Sequence, residues 1–403
     1  MTHRSPSTRT EDMNKQINRK KLFAGVVILL LLFLLTVRLN ALTKTQLINR
    51  TGQTFERGVV TEILQDNLQE DGLRVGQQTV MVRMLSGIRK GQSFETTSSA
   101  GFLFGAPCEV GMHVIILQSV AGDSTITTVY SMDRTAILIG FALLYLLVLA
   151  LVGGKKGVRA ALGLVFTFAS IFWIYLPLVY LGHSPFMTAV LICVLTTAVT
   201  LCLIGGMTQK TLAATLGTMG GVVIAGLVAT IFSRLSGVSG WNVSDIESLI
   251  TLYDTNGIQV GGLLFSGLLI SSLGAVMDVA MSISSSMREL CEQNPDISRG
   301  ALMRAGMRVG RDMMGTDANT LILAFAGGSV SMLLLNYAYD LPFLQVINSY
   351  NIGIAVMQGL SGSFGVVLSV PVTVLAAAFI YRHEKQGKGP LPAPAADSPS
   401  QSR

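Results

Sequence analysis

Charge is scarce in this chain, and its scarcity excludes most soluble folds. Only 13% of the 403 residues are charged, 50% are hydrophobic and mean hydropathy is +0.56, well outside the range of soluble globular domains. Cysteine and histidine are also sparse, with four of each. Cys108, Cys193, Cys202 and Cys291 stand singly, only Cys108 in a segment expected to meet an oxidising compartment, so no structural disulfide is predicted. His3, His113, His183 and His383 show no metal-ligand spacing, and neither a metal nor a cofactor is expected. The net charge of +6 comes from basic residues flanking apolar segments and calls for no nucleic-acid partner.

What the chain has instead is apolar runs, many long enough to cross about 30 Å of hydrocarbon as helix. Eight can be read: Leu22–Val37, Thr135–Val152, Ala160–Leu181, Phe186–Ile204, Leu212–Phe232, Gly257–Met277, Ala318–Ala338 and Ile352–Tyr381. The first follows Arg19, Lys20 and Lys21, lacks a visible small-x-small cleavage site and reads as a retained anchor. Most of the 29 basic residues flank alternate ends of these runs, which predicts both termini inside and an even number of spans. The expected organisation is a disordered tail over 1–18, an anchor over 19–38, an outer domain over 39–134, seven spans over 135–382 and a disordered tail over 383–403.

The outer segment changes character. "GVVTEIL", "QTVMVRML", "HVIILQSV" and "STITTVYSM" are short β-like runs separated by glycines, and Val80, Val82 and Met84 alternate with Thr79, Met81 and Arg83 at the period of a half-buried strand. In "LSGIRKGQSFETT", Gly87 and Gly91 stand where a hairpin would turn. The fold class expected is therefore mainly α: a polytopic helix bundle with a small β-barrel or OB-like domain between spans one and two. That domain could serve as a cap or assembly surface, or could capture a ligand or protein partner.

Two connections carry helical patterns. In "NVSDIESLITLYD" one apolar face suits the outer membrane interface. After Pro295, Asp296 or Ser298 can cap a helix that places Arg304, Arg308 and Arg311 on one basic face, against lipid headgroups or as a lever between moving spans. Gly217, Gly220, Gly221 and Gly226, and Gly359, Gly362 and Gly365, predict close helix approach. Pro177 and Pro371 predict kinks.

The sixth run contains an acid. At 100° per residue, Gly267, Ser271, Gly274, Ala275, Ser282, Ser285 and Glu289 fall within about 60° of Asp278, forming one small, polar stripe. Counted from Gly257, Asp278 lies about 31 Å along the axis, near the inner boundary. The next span opens "GTDANTLILAFAGGSVS", where Asp317, Thr320, Ala324, Gly328 and Ser331 repeat on a matching stripe. Both acids could sit hydrated at the interface, Asp317 beside a helix N-terminus. Alternatively they line an inner vestibule, binding a cation or passing a proton, with Ser271, Ser282, Asn319 and Thr320 as further ligands.

"GAVMDVAMSISSSMREL", "GRDMMGTDANTLILAFAGG" and "LSGIRKGQSFETT" resemble signature stretches of the YibE/F family of bacterial multi-pass membrane proteins, over roughly Gln53 to Tyr381. The resemblance implies a multi-pass protein of a bacterial plasma membrane. It implies no reaction. The family pattern usually reads "GTMTNTLILAY" where this chain has "GTDANTLILAF", which sets Asp317 apart and leaves Asp278 and Asn319 as shared positions. A fainter similarity, over about 60 residues, links Asp278 and Asp317-Ala318-Asn319 to RND-type proton-driven machines.

Two functions from different classes fit. One is a permease-like transporter, proton- or cation-coupled, moving an ion or small molecule. The other is a scaffold or accessory subunit using residues 39–134 to bind a partner. No catalytic residue is expected: "GLSG", Gly359 to Gly362, lacks a membrane histidine, and neither YD nor GxGD accompanies the acids.

Overall fold

The computed structural model describes residues 36–41, 52–70, 74–99, 105–121, 124–243 and 246–387. The anchor expected over Leu22–Val37, the tail over 1–18 and residues 388–403 of the second tail lie almost wholly outside these residues. The chain divides into two compact units, Lys44–Val152 and Gly153–Arg403 with Met1–Thr43.

The first unit is built on a closed five-stranded barrel in the order β1-β2-β3-β5-β4. Its strands are β1 (Gln53–Gln65), β2 (Gln77–Met84), β3 (Ser93–Ser99), β4 (His113–Ala121) and β5 (Ser124–Met132). All neighbours pair antiparallel except β3 and β5, whose parallel contact sets Thr97 against Thr128 and Ser98 against Val129. The period-two reading holds on β2: Val80, Val82 and Met84 point inward and are buried with Val60, Val114, Ile116 and Val129. A small barrel closes in this way because β1, β2, β4 and β5 turn apolar side chains inward, β3 adding Phe94 beside the buried Thr96 and Ser98, and closure leaves no exposed edge. The β2–β3 hairpin turns where the glycines predicted, Gly87 and Gly91 both having positive φ. Serine and amide contacts fasten it to β1, as Ser86 Oγ accepts from Arg57 N at 2.7 Å and Leu85 N donates to Arg57 O at 2.7 Å.

Among the described residues, nine helices follow. They are α1 (Thr135–Tyr180), α2 (Pro185–Gly205), α3 (Gln209–Ser236), α4 (Ile246–Asn256), α5 (Leu263–Gln293), α6 (Arg299–Gly328), α7 (Val330–Ala338), α8 (Phe343–Ile347) and α9 (Tyr350–Gly387). Five of them are long and apolar enough to cross a membrane, α1, α2, α3, α5 with its preceding 3-10 turn, and α9; the bent pair α6–α7 makes six if it is one span. The second and third expected spans both lie in α1, which departs from helical geometry at Gly154 (φ 53, ψ −134). Before Pro177, which has no N–H to give, residues Ile171–Tyr175 wind as a π-helical turn.

Within the helical unit, α3, α5, α6 and α9 pack together and α2 lies against α3 and α5. The glycines permit this. A Cβ on Gly221 would stand 2.5 Å from Val276 Cγ1 of α5, 2.7 Å from Ser369 Cβ and 2.9 Å from the Gly365 carbonyl of α9. Contacts closer than van der Waals separation are open to glycine alone, so α3 meets two helices at backbone distance. The faces left outside α2, α3 and α9 are apolar: Leu191, Leu227, Ile231, Leu360 and Phe364 are exposed, as lipid contact requires.

One boundary differs from the sequence reading. The basic helix after Pro295 and the span expected from Ala318 form a single helix, α6, capped by Ser298, whose side chain accepts from Ala301 N at 3.2 Å. No helix breaker separates Arg299 from Asp317, and Gly306 and Gly310 seat the chain against α5 and α9. The break comes later, at Ser329 after Gly327 and Gly328, where α7 departs by 57°. Asp317 is therefore interior to a helix and not at its N-terminus.

Candidate functional site

Helix α5 starts at Leu263, after a 3-10 turn over Val260–Gly262. Asp278 is thus about 22 Å from its start, halfway along the 31-residue helix. The helix is two-sided. Leu268, Leu269, Ser272, Val276, Val279 and Ile283 are fully buried against the bundle. Gly267, Ser271, Gly274 and Asp278 are exposed, and a Cβ on either glycine would meet nothing within 4 Å. The stripe read from the sequence is real, but it lies on the open face of the helical unit. Its lower members, Ser282 and Ser285, are half-buried, and Glu289 is exposed.

Helix α6 runs antiparallel beside α5, with Gly306 against Met287 and Gly310 against Ile283. Continued through the next turns, this register brings Asp278 level with Gly315 and within a turn of Asp317. The two carboxylates interact electrostatically, and Asp317 is half-buried. Thr320 is exposed on the next turn; its hydroxyl donates to the Thr316 carbonyl at 2.9 Å, as Ser271 Oγ donates to Leu268 O at 3.0 Å. Both hydroxyls keep lone pairs for a ligand. Asn319 departs from this group. Two residues beyond Asp317, it is about 200° around α6 and exposed on another side. Asp278, Asp317, Ser271, Ser282 and Thr320 therefore share a region, and Asn319 does not.

Sequence reading missed a buried polar knot beneath the stripe. Ser284 Oγ donates to the Lys210 carbonyl at 2.7 Å, and Tyr381 OH donates to the Ser284 carbonyl at 2.8 Å. These bonds tie α3, α5 and α9 at one end of the bundle. The signal was present in the serine run "SISSS", but only packing reveals that Ser284 faces inward while Ser282 and Ser285 do not. Among the described residues no group of three or more His, Cys, Asp or Glu is placed to hold a metal.

No curated protein and no solved structure matches the chain. The model of the YibE/F-like protein family matches residues 141–383. That stretch contains both membrane motifs, with Asp278 and Asp317, and leaves the barrel outside. Since it spans more than half of the sequence, the chain belongs to the YibE/F-like family.

Proposed function

We propose that this protein is a permease-like transporter of a bacterial plasma membrane in which Asp278 carries a proton or other cation, with Asp317, Ser271, Ser282 and Thr320 as its surroundings. The observation that carries the reading is the inverted amphipathicity of α5. Its apolar side is turned into the protein while glycine, serine and aspartate are turned out. On α2, α3 and α9 the exposed faces instead carry large apolar residues such as Leu191, Leu227, Ile231, Leu360 and Phe364. A carboxylate halfway along a membrane helix is costly against lipid, and such residues border water-filled pathways or another protein surface. Two acids near each other add a reason for a proton or cation there, since like charges at close range favour neutralisation of one.

The same reading takes Gly154 as the meeting point of two spans. A helix of 46 residues would be about 69 Å long, twice what one crossing needs. With the anchor and the α6–α7 pair, this gives eight spans, and the end of the bundle bearing Lys210, Arg288 and Arg299 is cytoplasmic by the distribution of basic residues. Membrane chemistry of this kind needs no enzyme active site.

In liposomes loaded with a pH-sensitive dye, an imposed membrane potential should drive proton entry through the native protein. Asp278→Asn should abolish it and Asp278→Glu retain it, both variants eluting as folded protein. Undiminished flux through Asp278→Asn overturns the proposal. A second reading, an accessory subunit binding a partner through the barrel, is favoured by Ile88, fully exposed at the tip of the β2–β3 hairpin. It predicts loss of crosslinking to that partner in Ile88→Asp with proton flux unaffected.

A further inference from the structure

A cavity of about 660 Å³ opens at the end of the bundle where α2 turns into α3, beside the last turns of α5. It is lined by Thr208, Gln209, Lys210, Ser285, Arg288, Glu289 and Glu292 among others, and the transport reading does not use it. Its charges are organised. Arg288 Nε pairs with Glu292 Oε1 at 2.8 Å, Arg288 Nη1 donates to Gln209 Oε1 at 3.3 Å, and the guanidinium lies 5.8 Å from the Tyr381 ring centre. That wall is internally neutralised and fixed in place by the Ser284–Lys210–Tyr381 knot behind it.

Two opposite charges remain. The Lys210 ammonium has no carboxylate within 4 Å among the described residues, and Glu289 accepts only a long bond from Gln293 Nε2 at 3.3 Å. An anion alone entering the cavity leaves Glu289 unmatched, and a cation alone leaves Lys210 unmatched. A ligand carrying both charges satisfies both sides. The volume lies within the range of small-molecule sites, and an ammonium–phosphate pair presents the donors and acceptors these side chains lack.

We propose that this cavity binds a zwitterionic head of phosphoethanolamine type, phosphate toward Lys210 and ammonium toward Glu289. The site stands whether or not Asp278 carries an ion. The head could belong to a bilayer lipid or to a soluble zwitterion, and the test separates the two.

The full chain, purified in detergent and stripped of phospholipid, is titrated with short-chain phosphatidylethanolamine, with phosphoethanolamine, and with short-chain phosphatidylglycerol, following the thermal unfolding midpoint. A saturable rise with the ethanolamine lipid and not the glycerol lipid is expected. A rise with the lipid alone identifies a membrane ligand; an equal rise with phosphoethanolamine identifies a soluble one. Lys210→Ala and Glu289→Gln should each weaken the effect about tenfold or more. Glu247→Gln, on α4 and outside the cavity, should leave it unchanged and controls for folding. Equal stabilisation by the glycerol lipid, no stabilisation by either ethanolamine compound, or full retention in Glu289→Gln overturns the proposal.

Discussion

Asp133 binds two segments with one carboxylate. Its Oδ2 lies 3.2 Å from Arg57 Nε on β1, and its Oδ1 accepts from Thr135 N at 3.0 Å at the start of α1. The Thr135 hydrogen bonds, with a smaller contribution from Arg57, hold the carboxyl below the usual carboxylate range. A depressed pKa stabilises the fold above the unfolded value of about 3.9, and the gain is lost as pH falls through the folded value. Thermal melts should therefore show native protein losing stability between pH 5 and about pH 3, and Asp133→Asn losing less over that interval. Cys108 gives a second test at this scale. Its side chain is buried in the barrel, its N–H donates to Gln78 Oε1 at 2.8 Å, and burial pushes the thiol up. A maleimide at pH 7 should leave Cys108 unmodified in folded protein and label it in denaturant. Sequence placed this cysteine in an outer domain but could not say that it faces inward, because inward direction depends on a barrel closed by partners far along the chain. Asn319 illustrates the converse: proximity to Asp317 in a motif suggested shared chemistry, and the helical period separates them.

At the scale of elements, glycine was the most legible signal. Of the glycines read as close approaches, Gly217, Gly220, Gly221, Gly226, Gly362 and Gly365 each have a neighbour inside 3.4 Å of where a Cβ would lie, whereas Gly359 has none nearer than 3.9 Å. Gly221→Val should destabilise the bundle by about 1–3 kcal/mol or more through overpacking. Gly274→Ala, where nothing lies within 4 Å, should leave the melting midpoint in detergent unchanged or raised by the gain in helix propensity. Helix limits were less legible. The span expected to begin at Asp317 continues upstream to Arg299 because charged residues at helical spacing extend a helix beyond the apolar run, and hydropathy marks only the apolar part. The acid on α5 was likewise placed from the start of the apolar run at Gly257, six residues before the helix begins. The turn chemistry of β2–β3 and the inward stripe of β2 followed directly from glycine and alternation. Closure of β3 on β5 did not, since two parallel contacts far apart in sequence leave no local trace.

For the whole molecule, a barrel and a helix bundle were both foreseen from the change of period between residues 39–134 and the rest. The direction of the α5 stripe was not, because periodicity identifies a face without saying what it meets. A lipid-exposed face would carry Leu and Phe like those of α3 and α9; the α5 face carries Gly267, Ser271, Gly274 and Asp278. That contrast is the central claim, and accessibility to water tests it most directly. In a cysteine-free background reconstituted in liposomes, single cysteines replacing Ser271 and Gly274 should react readily with a water-soluble thiol reagent, while cysteines replacing Leu227 and Phe364 should not. Labelling of Ser271→Cys no faster than that of Phe364→Cys would contradict the account.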